Sequence, residues 1–160
     1  MRNLKRALSL ALASVMVMGL MVVGTGASYA DVSSEQNQEA IEVLQAVGVM
    51  TGDENGNFNP DANVTRNEMA VVMSNLLDYT VSSYKGTAPF SDVPSWAEPY
   101  VAACYTNGII AGYDAKTFGG SESVTTGQAA LMLLKALGYF QEAGDFGQDW
   151  LVATVAQGSK

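Results

Sequence analysis

Val64-Thr65-Arg66-Asn67-Glu68-Met69-Ala70 and Val124-Thr125-Thr126-Gly127-Gln128-Ala129-Ala130 are two copies of one helix start, sixty residues apart. In each, a threonine is followed three positions later by Glu or Gln. That is the spacing of a capping box, in which the hydroxyl accepts from the N3 amide and the N3 side chain answers the cap amide. The register extends outward from these starts without a gap. Residues 41–79 fall on 101–139, with Gly48 on Gly108, Gly52 on Gly112, Phe58 on Phe118, Leu77 on Leu137 and Tyr79 on Tyr139. An internal repeat of this length decides the architecture before any single element is read.

Each copy reads helix, tight loop, helix. Ala40, Ile41, Val43, Leu44 and Val47 recur at helical spacing, and Gly48 stops that helix. A polar Gly/Asn/Asp loop follows through Pro60, and Met69, Val72, Met73, Leu76 and Leu77 form the next stripe. In copy two the matching stripe is Ala129, Met132, Leu133, Ala136 and Leu137, apolar on nearly all sides, which predicts a central helix. Phe90-Ser91-Asp92-Val93-Pro94 reads as an extended lead-in to the first helix of copy two, and Ser95-x-x-Glu98 as a third capping box. Residues 81–89 read as a linker. Trp150, Ala153 and Gly158 stand fifty residues after Tyr100, Ala103 and Gly108, so a third copy begins within 141–160. The expected layout is 31–80, 90–140 and an incomplete 141–160, in an all-α fold.

The start of the chain has the form of a signal peptide. Arg2, Lys5 and Arg6 precede an apolar run from Ala7 to Val23, and Ser28-Tyr29-Ala30 offers a small-x-Ala cleavage pattern. Residues 1–30 are therefore expected to be removed, leaving Asp31 as the mature N-terminus of a secreted protein with no membrane segment. The competing reading is an uncleaved anchor, for which the run is near the lower length limit. Removing three of the eight basic residues leaves five against sixteen acidic ones, a net charge of −11. Such a surface excludes nucleic acid as a partner. The chain has no histidine and one cysteine, Cys104. An internal disulfide is excluded, and the commonest general base and metal ligand is absent. No cofactor is implied. Asp53-Glu54-Asn55-Gly56-Asn57 suggests a calcium loop, but the positions that need Gly and an acid are Phe58 and Val64. Cys104 aligns with Leu44 and reads as a core residue.

These motifs resemble those of the S-layer homology repeat, a cell-wall anchoring module of bacterial surface proteins. The resemblance rests on Phe90-Ser91-Asp92-Val93 with Trp96-Ala97, on Asn107 to Tyr113 with Phe118, and on Val64-Thr65-Arg66-Asn67-Glu68, where Asn67 stands for the family's Ala. It implies three repeats around a pseudo-threefold helical bundle, with grooves that bind secondary cell-wall polysaccharide, often an acidic glycan. The chain departs from the pattern in three ways. Copy one lacks the Phe-x-Asp-Val lead-in, copy two has Thr126 where copy one has Arg66, and copy three is incomplete.

With that resemblance, Arg66 is the leading candidate for glycan binding. It is the single arginine of 31–160 and follows the Thr65 cap, where free amides already favour an anion. Its replacement by Ala is expected to weaken binding without unfolding the domain. Trp96 is a candidate for stacking on a sugar, Asp92 for bonding sugar hydroxyls, and Gly108 for close approach of a ligand to the backbone. The plainer alternatives are packing for Trp96, local amide bonding for Asp92 and a positive φ for Gly108. The function expected is non-catalytic wall anchoring. Its rivals are self-association into a surface layer without a glycan site, and the targeting part of a larger surface enzyme.

Overall fold

The computed structural model describes residues 29–32, 37–140 and 149–159. Two compact units, Met1–Pro60 and Asp61–Lys160, divide the chain inside copy one, between its loop and its second helix. Five α-helices stand among the described residues. They are α1 Gln38–Ala46, α2 Arg66–Leu76, α3 Glu98–Thr106, α4 Thr126–Ala136 and α5 Trp150–Gly158, with a 3-10 turn at Val81–Tyr84. The one β pairing among these residues is an isolated bridge between Thr65 and Ser123. The fold is all-α. No described helix is long and apolar enough to cross a membrane. The apolar run Ala7–Val23 lies outside the described residues.

Helix boundaries follow from local chemistry. Thr65 Oγ1 accepts from Glu68 N while Thr65 N donates to the Glu68 carboxylate, and Thr125 and Gln128 repeat the exchange. Helices α1 to α4 all end in the same motif. At α1 the amides of Gly48 and Val49 donate to Gln45 and Leu44, and at α3 those of Gly108 and Ile109 donate to Tyr105 and Cys104. The residue that turns the chain must take positive φ, which glycine adopts freely at Gly48, Gly108 and Gly138. At the end of α2 that position is Asp78, with φ 53°.

Two expectations are corrected. Ser95-x-x-Glu98 does not form a capping box. Pro94 to Ala97 form a turn, with Ala97 N and Glu98 N both donating to Pro94 O, and α3 starts only at Glu98. The Glu98 carboxylate is engaged instead by Gly86 N at 2.7 Å. Copy one also has its lead-in. Asp31 accepts from Phe58 N at 3.0 Å and from Asn59 N at 2.6 Å. Asp92 accepts from Phe118 N and Gly119 N, both at 2.8 Å. Tyr29 packs on Phe58 with ring centroids 5.5 Å apart, as Phe90 packs on Phe118 at 5.4 Å. Tyr29-Ala30-Asp31-Val32 is thus the counterpart of Phe90-Ser91-Asp92-Val93. The match escapes an ungapped alignment because it sits one residue out of the sixty-residue register, and because Tyr replaces Phe.

Within 61–160, α2 packs on α3 and meets α4, while α4 packs on α5. The second helix of one copy therefore seats on the first helix of the next, twice over. Met69, Ala70, Met73, Val101, Cys104, Ile109, Phe118 and Met132 form the core. Ala97, Ala102 and Ala103 are fully buried, and such small side chains let the neighbouring helices approach α3 closely. The segment read as a linker is a packed element. Its 3-10 turn lies on α3, the Tyr79 and Tyr84 rings stand 6.0 Å apart, and Thr87 Oγ1 bonds Thr106 Oγ1 at 3.1 Å. Helix α4 is less covered than its composition suggested. Met132 is its one buried residue, and Leu137 is 73% exposed.

Candidate functional site

Arg66 is held inside unit 61–160, not on its surface. It is 5% exposed. Its Nε donates to Phe118 O at 3.0 Å and its Nη2 to Ala111 O at 2.8 Å. The guanidinium carbon lies 4.5 Å from the Phe118 ring centroid and 4.7 Å from that of Tyr113. The start of α2 is itself fastened to copy two, with Arg66 N donating to Glu122 O and Asn67 N to Gly120 O. The helix-start amides that would suit an anion are thus engaged by carbonyls of the next repeat. The arginine joins the two copies through cation–π contacts with two rings and two charge-assisted bonds. These contacts give Arg66 a packing role, so Arg66→Ala is expected to cost stability as well as binding.

Arg66 also lines a concavity of about 300 Å³, together with Tyr113, Gln128, Lys135 and Trp150. Four elements build it: the start of α2, the loop 109–113, one face of α4 and the start of α5. Lys135 is half-buried there, and its Nζ donates to Gly108 O at 3.0 Å. Burial pushes the Lys135 ammonium below its ordinary pKa. The Tyr113 hydroxyl donates to Glu122 at 2.8 Å, which raises its own pKa. The arrangement places two cationic side chains and two aromatic rings around one opening. Such a lining suits a polar ring compound that carries negative charge.

The other residues singled out in the sequence fall beside this opening or away from it. Thr65 caps α2. Asp92 accepts two loop amides, which hold its carboxyl below the usual aspartate range, the Phe118 amide foremost. Gly108 takes φ 72° at the end of α3 and supplies the carbonyl for Lys135. Trp96 is 55% exposed and is not part of the lining. Sequence reasoning missed Lys135, Tyr113 and Trp150. Lys135 had a signal: it is the single charge in an otherwise apolar helical stripe. Asp53 is engaged within its own loop. Its carboxylate already accepts from Asn55 N, Asn57 N and Asn59 Nδ2. Among the described residues no group of His, Cys, Asp or Glu is arranged to hold a metal ion. Cys104 is fully buried, lies 3.4 Å from Ala70 O, and its thiol is pushed up to about 11 by burial.

Comparison with known proteins bears on the paired lead-ins and helix starts. A family model described as the S-layer homology domain matches residues 28–70 and 89–130, just over half of the chain. The chain belongs to the S-layer homology domain family. The first match begins one residue before Tyr29, so the family pattern includes the lead-in of copy one. Among relatives, the Surface-layer 125 kDa protein of Lysinibacillus sphaericus is 36% identical over 101 residues, covering 62% of this chain and 8% of the relative. An Endoglucanase of Bacillus sp. (strain KSM-635) is 27% identical over 174 residues, covering 98% of this chain and 18% of the relative. Endo-1,4-beta-xylanase A of Thermoanaerobacterium saccharolyticum is 32% identical over 102 residues, covering 62% and 9%. The S-layer homology chain thus spans less than a fifth of the length of these relatives. It is a member of a cell-surface family whose domains occur both in surface-layer proteins and in long proteins named as enzymes.

Proposed function

We propose that this chain is a non-catalytic anchoring module that holds an acidic secondary cell-wall polysaccharide in the opening between Arg66, Lys135, Tyr113 and Trp150. One observation carries the reading: two cations and two rings share one concavity in a chain of net charge −8. The surrounding acidic surface repels polyanions at long range, so a local cationic site confers selectivity. Thr65, Asp92 and Gly108 serve this site by position. Thr65 sets the helix that presents Arg66, Asp92 ties down the loop amides of Phe118 and Gly119, and the Gly108 carbonyl steadies Lys135. Trp96 is a separate, exposed stacking contact. The packing of α2 on α3, repeated by α4 on α5, supports a pseudo-threefold ring of repeats that continues into a third copy.

The test is retention of the purified chain on isolated wall polysaccharide, before and after removal of the glycan's acidic substituents. Lys135→Gln and Trp150→Ala are each expected to weaken binding roughly tenfold or more, with circular dichroism unchanged. Equal retention of both folded variants and the parent removes the site. A second reading, the targeting part of a larger surface enzyme, is favoured by the Endoglucanase match across 98% of the chain. Glycan hydrolysis by the polypeptide extracted from the cell surface tests it.

A further inference from the structure

We infer that export processing cuts this chain between Ala27 and Ser28, so that Tyr29 is kept in the mature protein. The inference rests on the signal-peptide reading of residues 1–30 and moves its cleavage point. A cut after Ala30 matches the local small-x-Ala pattern but removes a residue that the fold uses. Tyr29 is 6% exposed. Its ring stands against Phe58, and its Cε1 lies 2.6 Å from where a Cβ on Gly52 would be. Gly52 has no side chain to fill that hollow, so the tyrosine ring fills it, as the Phe90 ring does over Gly112 in copy two.

The backbone around Ala30 argues the same way. Val32 N donates to Tyr29 O at 3.3 Å, which makes the Ala30–Asp31 peptide the middle of a closed turn. Cutting there would open the turn and leave a new ammonium on Asp31, the residue whose carboxylate holds the Phe58 and Asn59 amides. The family match, which starts at residue 28, is an independent sign that the domain begins before Tyr29. Upstream, Thr25-Gly26-Ala27 places small residues one and three positions before the proposed cut. Cleavage there removes the whole apolar run Ala7–Val23 and leaves the lead-in of copy one intact.

The experiment uses the full precursor in a bacterial secretion host, with N-terminal sequencing and intact mass of the exported protein. Ser28 is the expected N-terminus. Ala27→Leu, a bulky residue directly before the cut, is expected to make the precursor accumulate, whereas Ala30→Leu matures as the parent does. An Asp31 N-terminus overturns the inference while leaving export intact. Blockage by Ala30→Leu with normal maturation of Ala27→Leu does the same. Retention of Met1 in the parent overturns both this cut and the signal-peptide reading beneath it.

Discussion

Arg66 shows how one side chain changes meaning between sequence and structure. Its guanidinium bridges two carbonyls of the next repeat and lies over two rings. Removing it leaves the Phe118 and Ala111 carbonyls without this donor, at about 1.5–3 kcal/mol for each charge-assisted bond. Arg66→Ala should therefore lower the urea midpoint of the domain sharply. Arg66→Lys should recover only part, because one ammonium cannot span both carbonyls or stack as a plane. A parent-like midpoint for Arg66→Ala would show that the bridge contributes nothing. Asp92 gives a second test at this scale. Its carboxyl is held below the ordinary value by the Phe118 and Gly119 amides. A depressed folded pKa stabilises the protein above the unfolded value, about 3.9, and that stabilisation is lost as pH falls through the folded value. The melting temperature should hold near neutrality and drop below about pH 4. Asp92→Asn should melt lower at pH 7 and lose less than the parent between pH 5 and pH 3.

Among the elements, α2 and α4 share their length and their capping box and differ at their C-terminal turns. Gly138 takes φ 89° after α4, and Asp78 takes φ 53° after α2. A left-handed conformation costs an L-residue about 1–2 kcal/mol, less for aspartate, and glycine almost nothing. Asp78 is exposed, so its replacement disturbs no packing. Asp78→Gly should therefore raise stability by about 0.5–1 kcal/mol after the entropy glycine adds to the unfolded chain. Thermal denaturation of the two proteins decides it, and a lower melting point for the glycine variant would contradict the strain argument. The capping boxes, the glycine stops and both helical stripes were legible at this scale because they depend on residues three to five apart. The Ser95 box was not. Its motif is present, but Pro94 turns the chain and Gly86, twelve residues away, binds the glutamate.

At the scale of the whole molecule, unit 61–160 carries apolar side chains that its described residues leave open. Leu133 is 43% exposed, Leu137 73%, Val152 63% and Val155 62%. Apolar side chains left in water in these numbers favour association. Sedimentation velocity should show self-association of the purified chain that grows with concentration, and Leu137→Gln with Val152→Gln should reduce it. A single monomer boundary across a hundredfold concentration range would refute the expectation. The same exposure bears on how the lattice-forming and wall-binding readings are separated, since a self-associating chain needs the polysaccharide arm of the binding test to distinguish retention from precipitation.

The sequence by itself determined the all-α class, the sixty-residue repeat, the helix starts and stops, and the family. Each of these is written in short-range spacing or in residues matched at a fixed offset, where local hydrogen bonding dominates. Tertiary structure alone decided what the polar residues do. Arg66 turned inward because carbonyls and rings from residues 111 to 118 surround it, and Lys135 and Trp150 met it at one opening from helices with no sequence proximity. Tyr29 joined the fold because Gly52 and Phe58, more than twenty residues away, leave a hollow of its shape. Burial and partner identity are set by which distant segments arrive at the same place, and no spacing along the chain records that.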